Sequence, residues 1–201
     1  MTKAPRLSTL LAAAAGALLL AVASPAVAHG GYHDLVRKSA PAKGGDFTLQ
    51  SVNGPVSLAD LRGKVVTIYF SYLSCADICP VYLAALAEAL RSLSAVEVAQ
   101  VQPVFITLDP ERDGVRQLAS YVSAFHPAIL GLTGALGDIG AAAKAYGVLY
   151  KRHVVKGGDY AIDHSSMLHV LGRDGKLRER LPHDASVRRI AAALRLALSA
   201  P

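Results

Sequence analysis

Cys75 and Cys79 are the only two cysteines of the 201-residue chain, and three residues separate them in the stretch "SCADICP". That spacing lets the sulfurs converge, either to bond each other or to hold one metal ion. Pro80 lacks a backbone N–H and disfavours helical geometry in the residue before it, so the sequence predicts a helix that begins at Pro80 with Cys79 as its cap. Unpaired N–H groups and the positive end of the helix dipole stabilise a thiolate there, which makes the sulfur a better ligand and a better nucleophile.

Three chemistries follow from such a pair. As a structural disulfide it is a poor staple, because closing so short a loop is worth about 2 kcal/mol against about 4.7 for a loop of 100 residues. As a cycling dithiol it parallels the CxxC that thioredoxin-like proteins carry on a strand-to-helix turn. As a metal site it needs at least one further ligand, and the chain has seven histidines. Two thiolates and one imidazole suit a soft, low-coordinate ion such as Cu(I), whereas structural zinc usually takes four ligands and iron–sulfur clusters four cysteines. Met167 lies in an apolar strand, where a thioether reads as core packing rather than ligation.

The elements around the pair form a repeating pattern. "VVTIYFSYL" is a continuous β-branched and aromatic run, as expected of a strand buried on both faces, and residues 80–93 carry leucines at helical spacing. "VQPVFITLD" reads as a second buried strand. Asp109, Pro110 and Glu111 supply an N-cap, a proline and an acidic first turn for a helix reaching about residue 125. A third helix over about 136–146 precedes a strand near Tyr150. "YAIDHSSMLHVLG" and "LRERL" read as two strands joined across Arg173-Asp174-Gly175, followed by an amphipathic helix over about 185–198. This order predicts an α/β (α+β) sandwich with a mixed central β-sheet flanked by helices.

The ends set the context. Residues 1–28 read as an export signal, with Lys3 and Arg6, an apolar run over 10–23 and a small-residue cleavage site after Ala28. The alternative is an uncleaved membrane anchor ended by Pro25. Residues 29–45, rich in Gly, His, Lys and Pro, read as a mobile arm, and residues 46–201 as one domain. Net charge is +6 for the whole chain, or +4 without Lys3 and Arg6, and the basic residues are scattered, which excludes a nucleic-acid footprint. Exported thiols meet an oxidising compartment and must be kept reduced, paired or capped by a metal.

"GKVVTIYFSYLSCADICPVYLAAL", "VQPVFITLDPERD", "LASYVSAFHP", "LGLTG", "AAKAYGV" and "YAIDHSSMLHVLGRDGKL" occur in this order, and together they resemble the Sco (SenC) family of copper-delivery proteins. The resemblance implies a thioredoxin-like fold with Cys75, Cys79 and His164 as copper ligands. It also implies a role in assembling the binuclear CuA centre of cytochrome c oxidase. Partners would be subunit II or another copper acceptor, a copper donor and a thiol reductant, in the bacterial periplasm, with membrane contact only through an uncleaved signal. Thiol–disulfide exchange by the Cys75–Cys79 pair is the alternative activity. The family loop usually reads C-P-x-x-C-P after a Gly-Tyr-Thr lead; here the lead is Ser71-Tyr72-Leu73, and Ala76 stands in place of the first proline. Asp163 is expected to orient the loop or the His164 imidazole, and Asp77 to shape the loop or meet a partner. His126, His153 and His169 are expected to be structural, and His183 lies in a turn. His29, with His33, is a candidate Cu(II) chelate should His29 become the N-terminus. Lys151-Arg152 and Arg178, Arg180, Arg188 and Arg189 are expected to form solvated faces or to meet an acidic partner. Peroxidase chemistry is disfavoured because Tyr72, not Thr, stands three residues before Cys75.

Overall fold

The computed structural model describes residues 42–75, 78–155 and 157–200, with only the backbone of Ile78. The export signal, most of the arm, His29, His33 and Asp77 lie outside the described residues. Two strands open the fold, β1 (Thr48–Ser51) and β2 (Gly54–Ser57), paired as an antiparallel hairpin. Gln50 of β1 bridges Thr133, which lays the hairpin beside the rim of the main sheet. The sequence pattern did not reveal this hairpin.

β3 (Val65–Ser71) is buried along its entire length, as its unbroken apolar run predicts. It pairs in parallel with β4 (Val101–Thr107), which pairs in parallel with β5 (Leu130–Leu132). On its other side β3 pairs antiparallel with β8 (Met167–Leu171), which pairs with β9 (Leu177–Pro182). The sheet order is therefore β5-β4-β3-β8-β9, mixed in direction as expected.

Alternation along β3 divides the core in two. Val65 and Tyr69 face one side, where α1 (Ile78–Arg91), α3 (Val115–Phe125) and α5 (Val187–Ser199) pack through Leu83, Leu86, Leu118, Val122, Ile190 and Leu194. Val66, Ile68 and Phe70 face the other side, against Ile139, Ala142 and Ala143 of α4 (Leu136–Ala145) and Leu49 of β1. This is the mixed-sheet sandwich the element order predicts and the thioredoxin-like fold the family resemblance implies. A short helix, α2 (Ala95–Ala99), is fixed by a reciprocal Ser94–Glu97 capping box that the apolar periodicity did not mark.

Two local expectations are corrected. Asp109, Pro110 and Glu111 do not start a helix: they form a turn in which the N–H groups of Arg112 and Asp113 donate to the Asp109 carbonyl, and α3 begins at Val115 after Gly114. Asp109 is buried and its carboxylate is taken by Arg112 and Tyr160, so it cannot serve as a solvent-facing cap. "YAIDHSSMLHVLG" is also not one strand. It splits into β7 (Tyr160–His164) and β8, and β7 pairs with β6 (Tyr150–Val154) in a separate two-stranded sheet. The break falls at Ser165, whose N–H donates to the Leu149 carbonyl while its hydroxyl accepts from the Leu149 N–H.

Candidate metal centre

β3, the central strand, ends at Ser71, and α1 begins at Ile78. Leu73 is held by its N–H donating to Asp113 Oδ2 at 3.0 Å, and the same oxygen accepts the Thr107 hydroxyl at 2.6 Å. Cys75 N–H donates to the Tyr72 carbonyl at 3.2 Å. These bonds deliver Cys75 to the mouth of α1. Cys79 lies inside the first turn of the helix rather than at its cap, which corrects the expected boundary by one or two residues. Cys79 still lies in the first turn of α1, where the helix presents unpaired N–H groups.

Cys75 and Cys79 are joined as a disulfide, with Cα atoms 6.0 Å apart, so this is the oxidised form of the pair. Their environments differ: Cys79 is 1% exposed within the core, while Cys75 is partly exposed. Ser71 Oγ donates to Cys79 Sγ at 2.7 Å.

His164 ends β7, 85 positions from Cys79 in sequence, and its Nε2 lies 3.7 Å from Cys79 Sγ. The imidazole is 6% exposed. Its Nδ1 faces the Ser165 carbonyl and the Ser166 hydroxyl, each at 3.3 Å. A carbonyl can only accept, so Nδ1 carries the proton and Nε2 turns its lone pair to the sulfurs, the tautomer a metal requires. Burial pushes the His164 pKa down, and the bond to Ser165 opposes this only in part, so the ring stays neutral. Tyr72 packs edge-on against the ring at 5.9 Å, and its hydroxyl accepts the Ile162 N–H at 3.3 Å, tying β7 to the cysteine loop.

The two sulfurs and one imidazole nitrogen lie within 4.8 Å of one another, the only such group of potential ligands found among the described residues. The structure thus brings together the three residues singled out in the sequence. Asp163 does not orient His164: its carboxylate is exposed and meets His153 Nδ1 at 3.2 Å, and His153 lies in β6 rather than in a loop. His169 is structural, with its ring nitrogens facing the Ile68 and Tyr146 carbonyls. His126 ends α3 and accepts the Ala128 N–H.

One supporting cluster was not anticipated. Tyr160 lies between two guanidinium groups, Arg112 at 3.8 Å and Arg152 at 3.9 Å from its ring centre, and its hydroxyl donates to the buried Asp109 at 2.8 Å. Arg112 also reaches Asp159 and the Tyr160 carbonyl, and Arg152 pairs with Glu111 at 2.6 Å. The expected solvated face at Lys151-Arg152 is therefore, for Arg152, a clamp binding the β6–β7 hairpin to the 109–113 turn. The "DPERD" string carried the signal, but as a tie to a distant hairpin rather than as a helix start.

A thioredoxin-like sandwich with two cysteines at a strand-to-helix turn and a histidine from an added hairpin defines a class: proteins with a dithiol–imidazole site that can hold a soft metal or exchange disulfides. The family model described as SCO1/SenC matches residues 36–199, and the chain belongs to that family. It is 40% identical over 159 residues to "Protein SCO2 homolog, mitochondrial" of Mus musculus, covering 78% of this chain and 62% of that protein. The chain spans about three fifths of the length of the mammalian relatives it matches. Among solved structures it resembles Bradyrhizobium japonicum ScoI with copper bound (TM-score 0.71, 34% identity, 78% of this chain and 99% of that one). It also resembles BsSco, described by its disulfide switch and as a member of the Sco family of cytochrome c oxidase assembly proteins (TM-score 0.62, 27% identity, 80% and 95%).

Proposed function

We propose that this chain is a copper metallochaperone of cytochrome c oxidase assembly. Its reduced Cys75–Cys79 pair and His164 take up Cu(I) and pass it to the CuA site of subunit II or to another copper-accepting protein. The observation that carries this reading is the convergence of two sulfurs and a lone-pair-bearing Nε2 within 4.8 Å. Such a donor set matches the preference of Cu(I) for few, soft ligands. The copper-bound relative supports the choice of metal.

Delivery follows from the unequal burial of the sulfurs. Cys75 is reachable and Cys79 is not, so an incoming thiolate from the acceptor displaces Cys75 first. Cys79 and His164 hold the ion until the second exchange, and no free copper is released. The export reading of residues 1–28 would place this transfer in the bacterial periplasm, with the chain either released or anchored at the inner membrane.

An anaerobic Cu(I) competition titration of the reduced chain beside His164→Ala tests the proposal. One tight copper per chain is expected, weakened in the variant by at least the roughly 10–100-fold that loss of an outer-sphere partner costs a metal site. Weak binding indifferent to His164 would overturn it.

The disulfide itself favours a second reading, a thiol–disulfide oxidoreductase that reduces the acceptor's cysteines. There the exposed Cys75 is the attacking sulfur and Cys79 resolves the mixed disulfide. Under this reading His164→Ala shifts the reduction potential and leaves copper retention unimportant.

A further inference from the structure

Ser71 is the last residue of β3 and fully buried, and its backbone is held on the β4 side. It stands opposite Thr107 in the parallel ladder, and its carbonyl accepts the Leu108 N–H at 2.6 Å. The side chain has little freedom, and its hydroxyl donates to Cys79 Sγ at 2.7 Å. Glycine usually occupies this place in the pattern the loop resembles, and glycine has no donor to offer. The contact therefore comes with this chain's own residue.

We infer that Ser71 is a positioning residue that sets the redox poise of the Cys75–Cys79 pair through its hydrogen bond to the buried sulfur. A disulfide sulfur is a weak, neutral acceptor, whereas the thiolate of the reduced pair takes a charge-assisted bond about twice as strong. The hydroxyl thus stabilises the reduced form more than the oxidised one. A disulfide whose reduced form is stabilised is the stronger oxidant and is more readily opened by a donor thiol. In that reaction a donor dithiol supplies two electrons and two protons. The Cys75–Cys79 bond breaks to a thiol at Cys75 and a thiolate at Cys79 that accepts from Ser71, the second proton passes to solvent, and the donor closes to its own disulfide. Since copper uptake needs the reduced pair, Ser71 biases the chain toward its metal-accepting state. The inference rests on the proposed use of the reduced pair, but its test needs no copper.

The test is equilibration of the chain, Ser71→Ala and Ser71→Gly with dithiothreitol redox buffers, scoring the fraction reduced by thiol trapping. Unfolding midpoints of the three oxidised proteins are measured alongside. Both variants lose the donor, so both are expected to shift about tenfold toward the disulfide, equivalent to about 30 mV more negative for a two-electron couple. The shift should be the same in the two variants even where their unfolding midpoints differ. An unchanged potential in Ser71→Ala would overturn the inference. So would a shift confined to Ser71→Gly, which would assign the effect to backbone freedom instead of the hydroxyl. Because the readout is copper-free, its failure is separate from any failure of copper binding.

Discussion

His164 and His169 lie five residues apart on the same stretch of chain, both buried, and do opposite things. His164 keeps one nitrogen open toward the sulfurs, whereas both nitrogens of His169 face carbonyl oxygens, Tyr146 at 2.9 Å and Ile68 at 3.2 Å. Burial pushes the His169 pKa down to about 4, with the two carbonyl contacts opposing. The folded chain therefore keeps His169 neutral while the unfolded chain protonates it near pH 6.5, so stability is full above pH 6.5 and falls as the pH drops toward 4. Urea unfolding between those limits is expected to show a loss of about 3 kcal/mol from this residue. His169→Gln, which cannot titrate, should flatten part of that fall. His164 is shifted in the same direction, so His164→Ala should flatten a further part of it in the metal-free protein. A pH profile unchanged by either substitution would refute the assignment.

Among the elements, the β6–β7 hairpin matters most, because it alone brings His164 to the cysteines. It is held by Tyr160 between Arg112 and Arg152 and by the tie from Tyr72 to Ile162. Tyr160→Ala is expected to loosen His164, weakening Cu(I) retention in a competition titration while leaving the dithiol potential unchanged; equal retention would show that the clamp is ornamental. The 109–113 turn does parallel work on the other side of the site. Asp113→Ala leaves the Leu73 N–H and the buried Thr107 hydroxyl without their acceptor, at a cost of about 2–4 kcal/mol in urea unfolding. Asp113→Asn, which keeps one accepting oxygen, should cost less. The strand of the second half was misjudged because "YAIDHSSMLHVLG" is apolar at both ends, and alternation does not show that Ser165 turns the chain between two sheets. The acidic turn was misjudged because "DPERD" satisfies every rule for a helix start. Only its partners, Arg112 within the turn and the distant Tyr160, reveal why Asp109 is buried.

Across the whole molecule, most of the architecture was legible. The buried runs of β3 and β4, the leucine spacing of α1 and the amphipathic last helix specified a mixed sheet between helical layers, and the three site residues followed from the cysteine pair and the family pattern. The β1–β2 hairpin and α2 were not legible, since four-residue strands and a single-turn helix carry too few residues to show a period. Ser71 and Tyr72 were not legible as site residues either, because their roles depend on what lies across the sheet. The core is large relative to the disulfide's small loop, whose closure is worth about 2 kcal/mol. Reduction with dithiothreitol should therefore lower the thermal midpoint by only about 4–8 °C and leave the fold intact by circular dichroism. Collapse on reduction would contradict the view that the pair is functional rather than structural.

Because the cysteines leave the end of the central sheet while His164 arrives on a separate two-stranded one, the site straddles two regions of unequal local stability. A small outlying hairpin opens at lower free energy than a five-stranded core, so its amides should exchange with deuterium well before those of β3 and β4. An ion bound by both halves becomes a rivet. Cu(I) loading should slow deuterium uptake across β6 and β7 far more than across the core, and its departure should release the hairpin first.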